Sequence, residues 1–307
     1  MNVLASSIVL VCRPRTSEAG NTTRREFLAA LKKELAPALR QLQKGNIAPV
    51  DYVWTNFRPG TYIYQSGTHP AVQVQMGLYG GITKDFNVAQ AYQGIDYIKQ
   101  VPVFFSEIDP ALHQAVSSNN YGPGKAMTST IDYDPKYFLI NGQAYSESST
   151  PIFAGRSNQK ILLRFFNIGL ETRSPLLQGL YMKNVAEDGN PYKYPKESYT
   201  LPLTAAKTLD AVITSPAIGK FPLYDRRLAL TNAGQSHGGM LIYLDITYNP
   251  DFNNDQFVNL LDYAILAAEW GRTDCSPANP CQANLNTDGQ VDLADLILWA
   301  EWWQQIP

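Results

Sequence analysis

Two stretches near the carboxyl end place oxygen-bearing side chains at alternate positions. In DFNNDQFVNLLD, Asp251, Asn253, Asp255, Asn259 and Asp262 occupy positions 1, 3, 5, 9 and 12. In NLNTDGQVDLAD, Asn284, Asn286, Asp288, Asp292 and Asp295 occupy the same positions 33 residues later. A tight loop delivers such alternating groups to one centre, and calcium, a hard cation, takes six to eight oxygens at about 2.3–2.6 Å. Position 7 adds a backbone carbonyl, here from Phe257 and Gln290. The carboxylate at position 12 belongs to the first turn of a following helix and can bind through both oxygens. The pattern therefore implies a duplicated calcium loop, each copy with three carboxylates. Two substitutions weaken it. Gln256 stands at position 6 of the first loop, where glycine's positive φ is usual, at a cost of roughly 1 kcal/mol or more. Asn284 stands at position 1 of the second loop and removes a charge.

Softer ligands are scarce. The chain has three histidines, His69, His113 and His237, and no cysteine between Cys12 and Cys275. A blue-copper centre needs two histidines and a cysteine thiolate with a weak axial group. His113, in DPALHQAV, has no ligand-type neighbour in sequence, and His237, in the turn QSHGGM, is expected to face solvent. Only the fold could bring these histidines together on one copper or zinc. Cys275 and Cys281 bracket the loop CSPANPC. They either close a small disulfide, which needs an oxidising compartment, or remain two free thiols. Cys12 is left over.

The elements that must position these groups change character along the chain. Residues 22–44, TTRREFLAALKKELAPALRQLQK, carry Phe27, Leu31 and Leu35 on one face of an amphipathic helix. Thr22 or Thr23 can cap it, Pro37 should kink it or split it in two, and Gly45 ends it. Its basic residues form a solvated face or, alternatively, a nucleic-acid patch whose binding would be salt-dependent. From about Tyr52 to Asn249, short period-2 runs alternate with Gly, Pro and Asn turns. KILLRFFNI puts Ile161, Leu163 and Phe165 on one side, and MLIYLDITY does so with Met240, Ile242, Leu244 and Ile246. Such runs predict an antiparallel sandwich. After Pro250, each Asp/Asn-rich loop runs into an Ala/Leu/Trp-rich helix, LLDYAILAAEW and LADLILWAEWW, an internal duplication. Hydrophobic content of 45% with 17% charged residues is that of a globular chain. The net charge of −2 hides a split. Residues 1–50 hold eight Lys/Arg against three Glu, while residues 250–307 hold nine Asp/Glu against Arg272 alone. No stretch reaches the roughly 20 apolar residues of a spanning helix, and VLASSIVLVC lacks the flanks of a signal peptide.

Three resemblances follow. The duplicated loops, with Asp rather than Glu at position 12, Val258 and Val291 at position 8 and a helix after each, resemble a type I dockerin over residues 250–306. That resemblance implies folding around calcium and binding to a cohesin-type module, so that extracellular complexes assemble. Cohesin-recognising residues in dockerins include positions 10 and 11, here Leu260 and Leu261, and Leu293 and Ala294. These apolar residues either meet a partner or pack the two helices together. The stretch GTYIYQSGTHPAVQVQMGLYGG resembles a first-domain motif of the multicopper oxidases. FLINGQAY, LLRFFNIG, AEDGNPY and PLYDRRLALTNAGQSHGGMLIYLDI resemble that family's second cupredoxin domain, for coverage of about 56–248. This implies cupredoxin sandwiches, an extracytoplasmic setting, and oxidation of a substrate coupled to oxygen reduction. In the family's Tyr-His-Ser-Gly-Thr-His motif the first histidine corresponds to Gln65, a poor copper ligand, and only His69 matches. An oxygen-reducing member uses roughly ten histidines over its copper sites. Finally, ASSIVLVCRPR and TRREFLAALKKELAPALRQLQKGNIAPVD resemble a piece of the large adenine-specific DNA methylases over about 5–51. Neither the Asn/Asp-Pro-Pro-Tyr motif nor the Rossmann core of that family is present.

The expected fold class is mainly β: a cupredoxin-like antiparallel sandwich with a small helical calcium-binding dockerin at the carboxyl end and an N-terminal amphipathic helix. Expected segments are a helical methylase-like fragment (1–51), a remnant of a first cupredoxin domain (52–90), a second cupredoxin-like domain (91–249) and tandem calcium loops (250–307). The opening strands of a first domain, with their His-Trp-His ligand pair, should precede residue 52, where the methylase-like segment stands. Residues 56–85 are therefore expected to pack as a strand pair on the second domain, with edges prone to aggregation. The leading functional expectation is an extracellular or periplasmic assembly protein, a fusion that binds calcium and a cohesin partner, with copper doubtful and neither membrane nor nucleic acid as partner. The alternative is a copper-dependent oxidoreductase of the multicopper oxidase family.

Overall fold

The computed structural model of the chain describes residues 58–67, 69–255, 257–276 and 278–304. The helix expected over 22–44, the methylase-like segment and Gln256 lie outside these residues. The first described elements are β1 (Gly60–Gln65), the short helix α1 (Pro70–Gln73) and β2 (Tyr79–Lys84). β1 and β2 pair antiparallel, from Gly60 opposite Lys84 to Gln65 opposite Tyr79. β3 (Gln90–Tyr92) and β4 (Ile95–Asp96) make a second small pair, followed by the long strand β5 (Lys99–Ile108).

The chain divides into two compact units, and the described part of the first is residues 110–134. It holds helix α2 (Pro110–Ser117), whose Leu112, His113 and Ala115 are buried. The second unit resumes with β6 (Tyr137–Ile140), β7 (Ile152–Arg156), β8 (Ile161–Asn167), β9 (Pro175–Leu177), β10 (Met182–Glu187) and β11 (Asn190–Ser198). β12 (Thr208–Ile213), β13 (Gly219–Asp225) and β14 (Leu241–Thr247) complete the strands. The helices α3 (Leu260–Glu269) and α4 (Leu293–Ala300) follow.

Two sheets face each other. One has the order β11-β10-β12-β8-β5-β6 and the other β7-β14-β13-β9. Alternate residues of the central strands meet between them: Val101, Val103 and Phe105 of β5, Ile161, Leu163 and Phe165 of β8, Leu209, Ala211 and Ile213 of β12, and Leu244 and Ile246 of β14. Most pairs are antiparallel, as the sequence pattern predicts. Two are not: β5 runs parallel to β8, and β14 parallel to β7. Period-2 alternation reports which face is buried and carries no strand direction. Both parallel pairs join strands separated by long crossovers, as parallel pairing requires.

β8 departs from the expected alternation, because all of its residues are buried on both faces. Its second face is covered by the β1–β2 pair and by β3–β4. Leu162 packs with Tyr92 and Tyr97, and Phe166 packs with Val74, Ile63 and Tyr79. Arg164, 1% exposed, is thereby enclosed. Its Nε donates to Gln100 (2.9 Å), Nη1 to Thr61 (2.8 Å) and Nη2 to Asp85 (2.5 Å). Asp210 stands 3.6 Å from Nη1 and accepts hydrogen bonds from Thr61 (2.6 Å) and Tyr92 (2.5 Å). A buried guanidinium is tolerated only when its charge and donors are met, and here β1 and the residue after β2 meet them. At one end of the sandwich Arg173, also 1% exposed, pairs with Glu107 and with Asp225 (3.3 Å). That contact ties β5 to β13.

The strand pair is seated closely. Phe104 and Phe166 stack with ring centres 4.1 Å apart. A Cβ at Gly81 would lie 2.5 Å from the Phe166 ring and 2.8 Å from that of Phe104. Substituting Gly81→Val should overpack this contact and destabilise the chain by about 1–3 kcal/mol, with limited proteolysis opening first between residues 60 and 84. An unchanged denaturation midpoint and protease pattern would contradict this seating.

Candidate metal centre

The first loop is organised by its own side chains. Asp251 Oδ1 and Asn253 Oδ1 both accept the Asp255 amide (3.1 and 2.9 Å), and Asp255 Oδ1 accepts that of Phe257 (2.9 Å). Asn253 Nδ2 donates to Asp255 Oδ2 (2.9 Å), and Asn259 Nδ2 reaches the same oxygen at 3.4 Å. Asn259 caps α3 by accepting the Leu261 amide (2.8 Å). Asp262 has no exposed surface. Its Oδ1 accepts the amides of Phe252 (2.7 Å) and Asn253 (3.2 Å), and its Oδ2 accepts that of Asn259 (2.9 Å).

The second loop repeats this almost bond for bond. Asn286 Oδ1 accepts the Asp288 amide (3.0 Å), Asp288 Oδ1 accepts that of Gln290 (2.9 Å), and Asn286 Nδ2 donates to Asp288 Oδ2 (2.9 Å). Asp292 caps α4 through the Ala294 amide (2.8 Å). Asp295, fully buried, accepts Leu285 (2.7 Å) and Asn286 (3.1 Å) on Oδ1 and Asp292 (3.0 Å) on Oδ2. Position 4 takes a left-handed backbone in both copies, at Asn254 (φ 56°) and Thr287 (φ 62°). For β-branched Thr287 this is a strained conformation.

The donor set fits a hard cation. Every side chain at positions 1, 3, 5, 9 and 12 offers oxygen, and positions 1 to 5 gather on a single turn. Asn284 Oδ1, at position 1 of the second loop, is buried and accepts no hydrogen bond. Such an orphaned oxygen calls for a missing partner, and a cation is one that this loop chemistry suits. Asp255 is held below the usual carboxylate range, first by the Asn253 side chain and then by the Phe257 amide. Its contribution to the loop is present above the ordinary carboxylate pKa and is lost as pH falls through the lowered value.

Behind the loops, Val258, Leu266, Leu285, Val291 and Trp299 form a separate small core. Trp299 contacts Tyr263 and Trp303 at ring-centre distances of 5.6 and 5.2 Å. Leu260, Leu261, Leu293 and Ala294 stay outside this core and are exposed, so they do not pack the helices together. Cys275 and Cys281 are joined as a disulfide, with Cα atoms 5.3 Å apart.

Among the described residues, copper chemistry finds no ligand set. Gln65 closes β1 and His69 precedes α1, both exposed. His237 is exposed in a left-handed turn (φ 58°). His113 is buried on α2 in the other unit. Among the described residues, one group of three His, Cys, Asp or Glu side chains converges: Asp274, Cys275 and Cys281. Its sulfurs are bonded to each other and so are not thiolate donors. The described residues do not make a blue-copper or oxygen-reducing site. Sequence reasoning overlooked the Arg164 network, although an arginine in the middle of the apolar run ILLRFFN is itself a signal of buried pairing.

Residues 99–240 match the multicopper oxidase family. Two solved structures share the fold. A blue copper oxidase from Nitrosomonas europaea is 19% identical with a TM-score of 0.53, over 64% of this chain and 59% of that one. The multicopper oxidase mgLAC is 17% identical with a TM-score of 0.54, over 84% of this chain and 73% of that one. This chain thus spans 59% of the blue copper oxidase. No curated protein matches it. The sandwich is a multicopper-oxidase-like, cupredoxin-like domain, and that family implies copper, whose ligands this domain does not assemble.

Replacing Asp262 by alanine strips three backbone amides of their acceptor. The change should destabilise the tail by about 2–3 kcal/mol, read from its tryptophan fluorescence during denaturation. A loss below about 0.5 kcal/mol would show that the carboxylate does not organise the loop.

Proposed function

We propose that the chain is an extracellular or periplasmic assembly protein. Its tail binds calcium and a cohesin-type partner, and its multicopper-oxidase-like sandwich serves as a scaffold. The observation that carries this reading is the duplicated loop geometry with its buried, unpartnered Asn284 oxygen. Asp251, Asn253, Asp255, Asn259 and Asp262 would hold one ion together with the carbonyl of Phe257. Asn284, Asn286, Asp288, Asp292 and Asp295 would hold another with that of Gln290. Bound calcium would offset two of the three carboxylate charges in each loop. The chain's own part is already visible: Asn259 and Asp292 cap the helices, and Asp262 and Asp295 pin the loop backbones. Leu260, Leu261, Leu293 and Ala294 supply apolar surface beside the loops. A disulfide in the tail is in keeping with an oxidising compartment, and no described helix is long and apolar enough to cross a membrane.

The second reading is a copper-dependent oxidoreductase, favoured by the family match over residues 99–240. It would use residual ligands such as His69, the one motif histidine matched, or copper shared with another subunit.

Titrating calcium into the chelated chain should raise far-ultraviolet helicity and change tryptophan fluorescence. An immobilised cohesin-type module should retain the chain in millimolar calcium and release it in chelator. Pairing Leu260→Asp with Leu293→Asp should weaken that capture by about tenfold or more with calcium binding intact. A calcium-silent signal would remove the metal from this reading. Capture indifferent to the leucines would remove the proposed contact face.

A further inference from the structure

No slack connection separates the tail from the sandwich. β14 ends at Thr247 and the first loop begins at Asp251. Asn249, between them and 5% exposed, donates to the Asp251 carbonyl (2.8 Å) and to Asn254 Oδ1 (3.2 Å). The strand therefore runs into the loop already bound to it.

A second contact closes the same junction from the other end of the tail. Arg156, the last residue of β7, is 8% exposed, and no ion pair among the described residues includes it. Its Nη1 donates to the Tyr248 carbonyl (3.2 Å), and its guanidinium carbon stands 4.2 Å from the centre of the Trp302 ring. Trp302 Nε1 donates to the Tyr248 hydroxyl (3.0 Å), which donates in turn to Glu301 (3.2 Å). Two residues further on, the Gln304 amide donates to the carbonyl of Val258, position 8 of the first loop (2.9 Å). Arginine stays charged when buried, and with no ion-pair partner among the described residues it rests on the face of Trp302 and, at 5.9 Å, of Phe153. Trp302 thus lies between the sandwich on one side and the first calcium loop on the other.

We propose that calcium occupancy of the tail is transmitted to the sandwich through this Arg156–Trp302 clamp, so that calcium sets the order of β7 and β14 as well as that of its own loops. The proposal rests on the calcium reading above and adds a regulated element to it. Ordering the first loop fixes Val258. Val258 fixes the segment carrying Trp302, and Trp302 covers Arg156 at the end of a β-strand. Coupling of this kind needs one element whose arrangement both sites bias, and the segment 301–304 is that element.

Hydrogen exchange on the full chain tests this, comparing chelator with millimolar calcium for the native sequence, Arg156→Ala and Trp302→Leu. In the native chain, calcium should slow exchange in residues 251–262 and 284–295 and also, by about fivefold or more, in β7 and β14. In both variants the loops should still respond and the strands should not. Loops that respond while the native strands do not would overturn the clamp and leave calcium binding standing. Strands that respond equally in the variants would overturn it too. Loops that fail to respond would overturn the calcium reading and the proposal together. Should Arg156→Ala fail to fold, Arg156→Lys keeps the charge without the flat guanidinium and carries the same expectations.

Discussion

A buried carboxylate that holds three backbone amides at once, Asp262 in one loop and Asp295 in the other, is the contact on which the tail depends. Each joins the start of its loop to the start of the following helix, so loop and helix cannot move independently. In the first loop the side-chain oxygens of positions 1 and 3 are then wound onto the amide of position 5. The core under Val258 and Val291 holds few residues, and modules of this size commonly rely on a further staple such as a disulfide or a metal.

The sandwich solves a different problem. Arg164 and Arg173, each 1% exposed, are almost wholly enclosed in it, and each must be surrounded by acceptors drawn from distant segments. Arg173 finds Glu107 and Asp225 within the sandwich itself. Arg164 finds Thr61 and Asp85 only because the β1–β2 pair lies over β8. The strand pair is therefore an integral cover of the sheet.

Much of this was legible in the sequence and some was not, for identifiable reasons. The spacing of Asp and Asn in the tail gives the loops directly, because their contacts are between residues ten or fewer positions apart. The alternation of Met240, Leu244 and Ile246 gives the buried face of β14. The parallel pairing of β5 with β8 was hidden, since alternation carries no direction. The burial of Arg164 depends on partners up to 103 residues away. The contact between Arg156 and Trp302 joins segments with no common pattern. The exposure of Leu260, Leu261 and Leu293 also needed coordinates, because apolar residues at helix starts serve packing and docking equally well.

The central proposal is that this chain would bind a hard cation through its oxygen-rich loops rather than copper in its sandwich. Dialysis against calcium and copper(II) together, followed by elemental analysis of the protein peak, tests it most directly. The account predicts two calcium ions per chain, one for each loop preceding α3 and α4, with copper far below one equivalent. Stoichiometric copper with no retained calcium would contradict it.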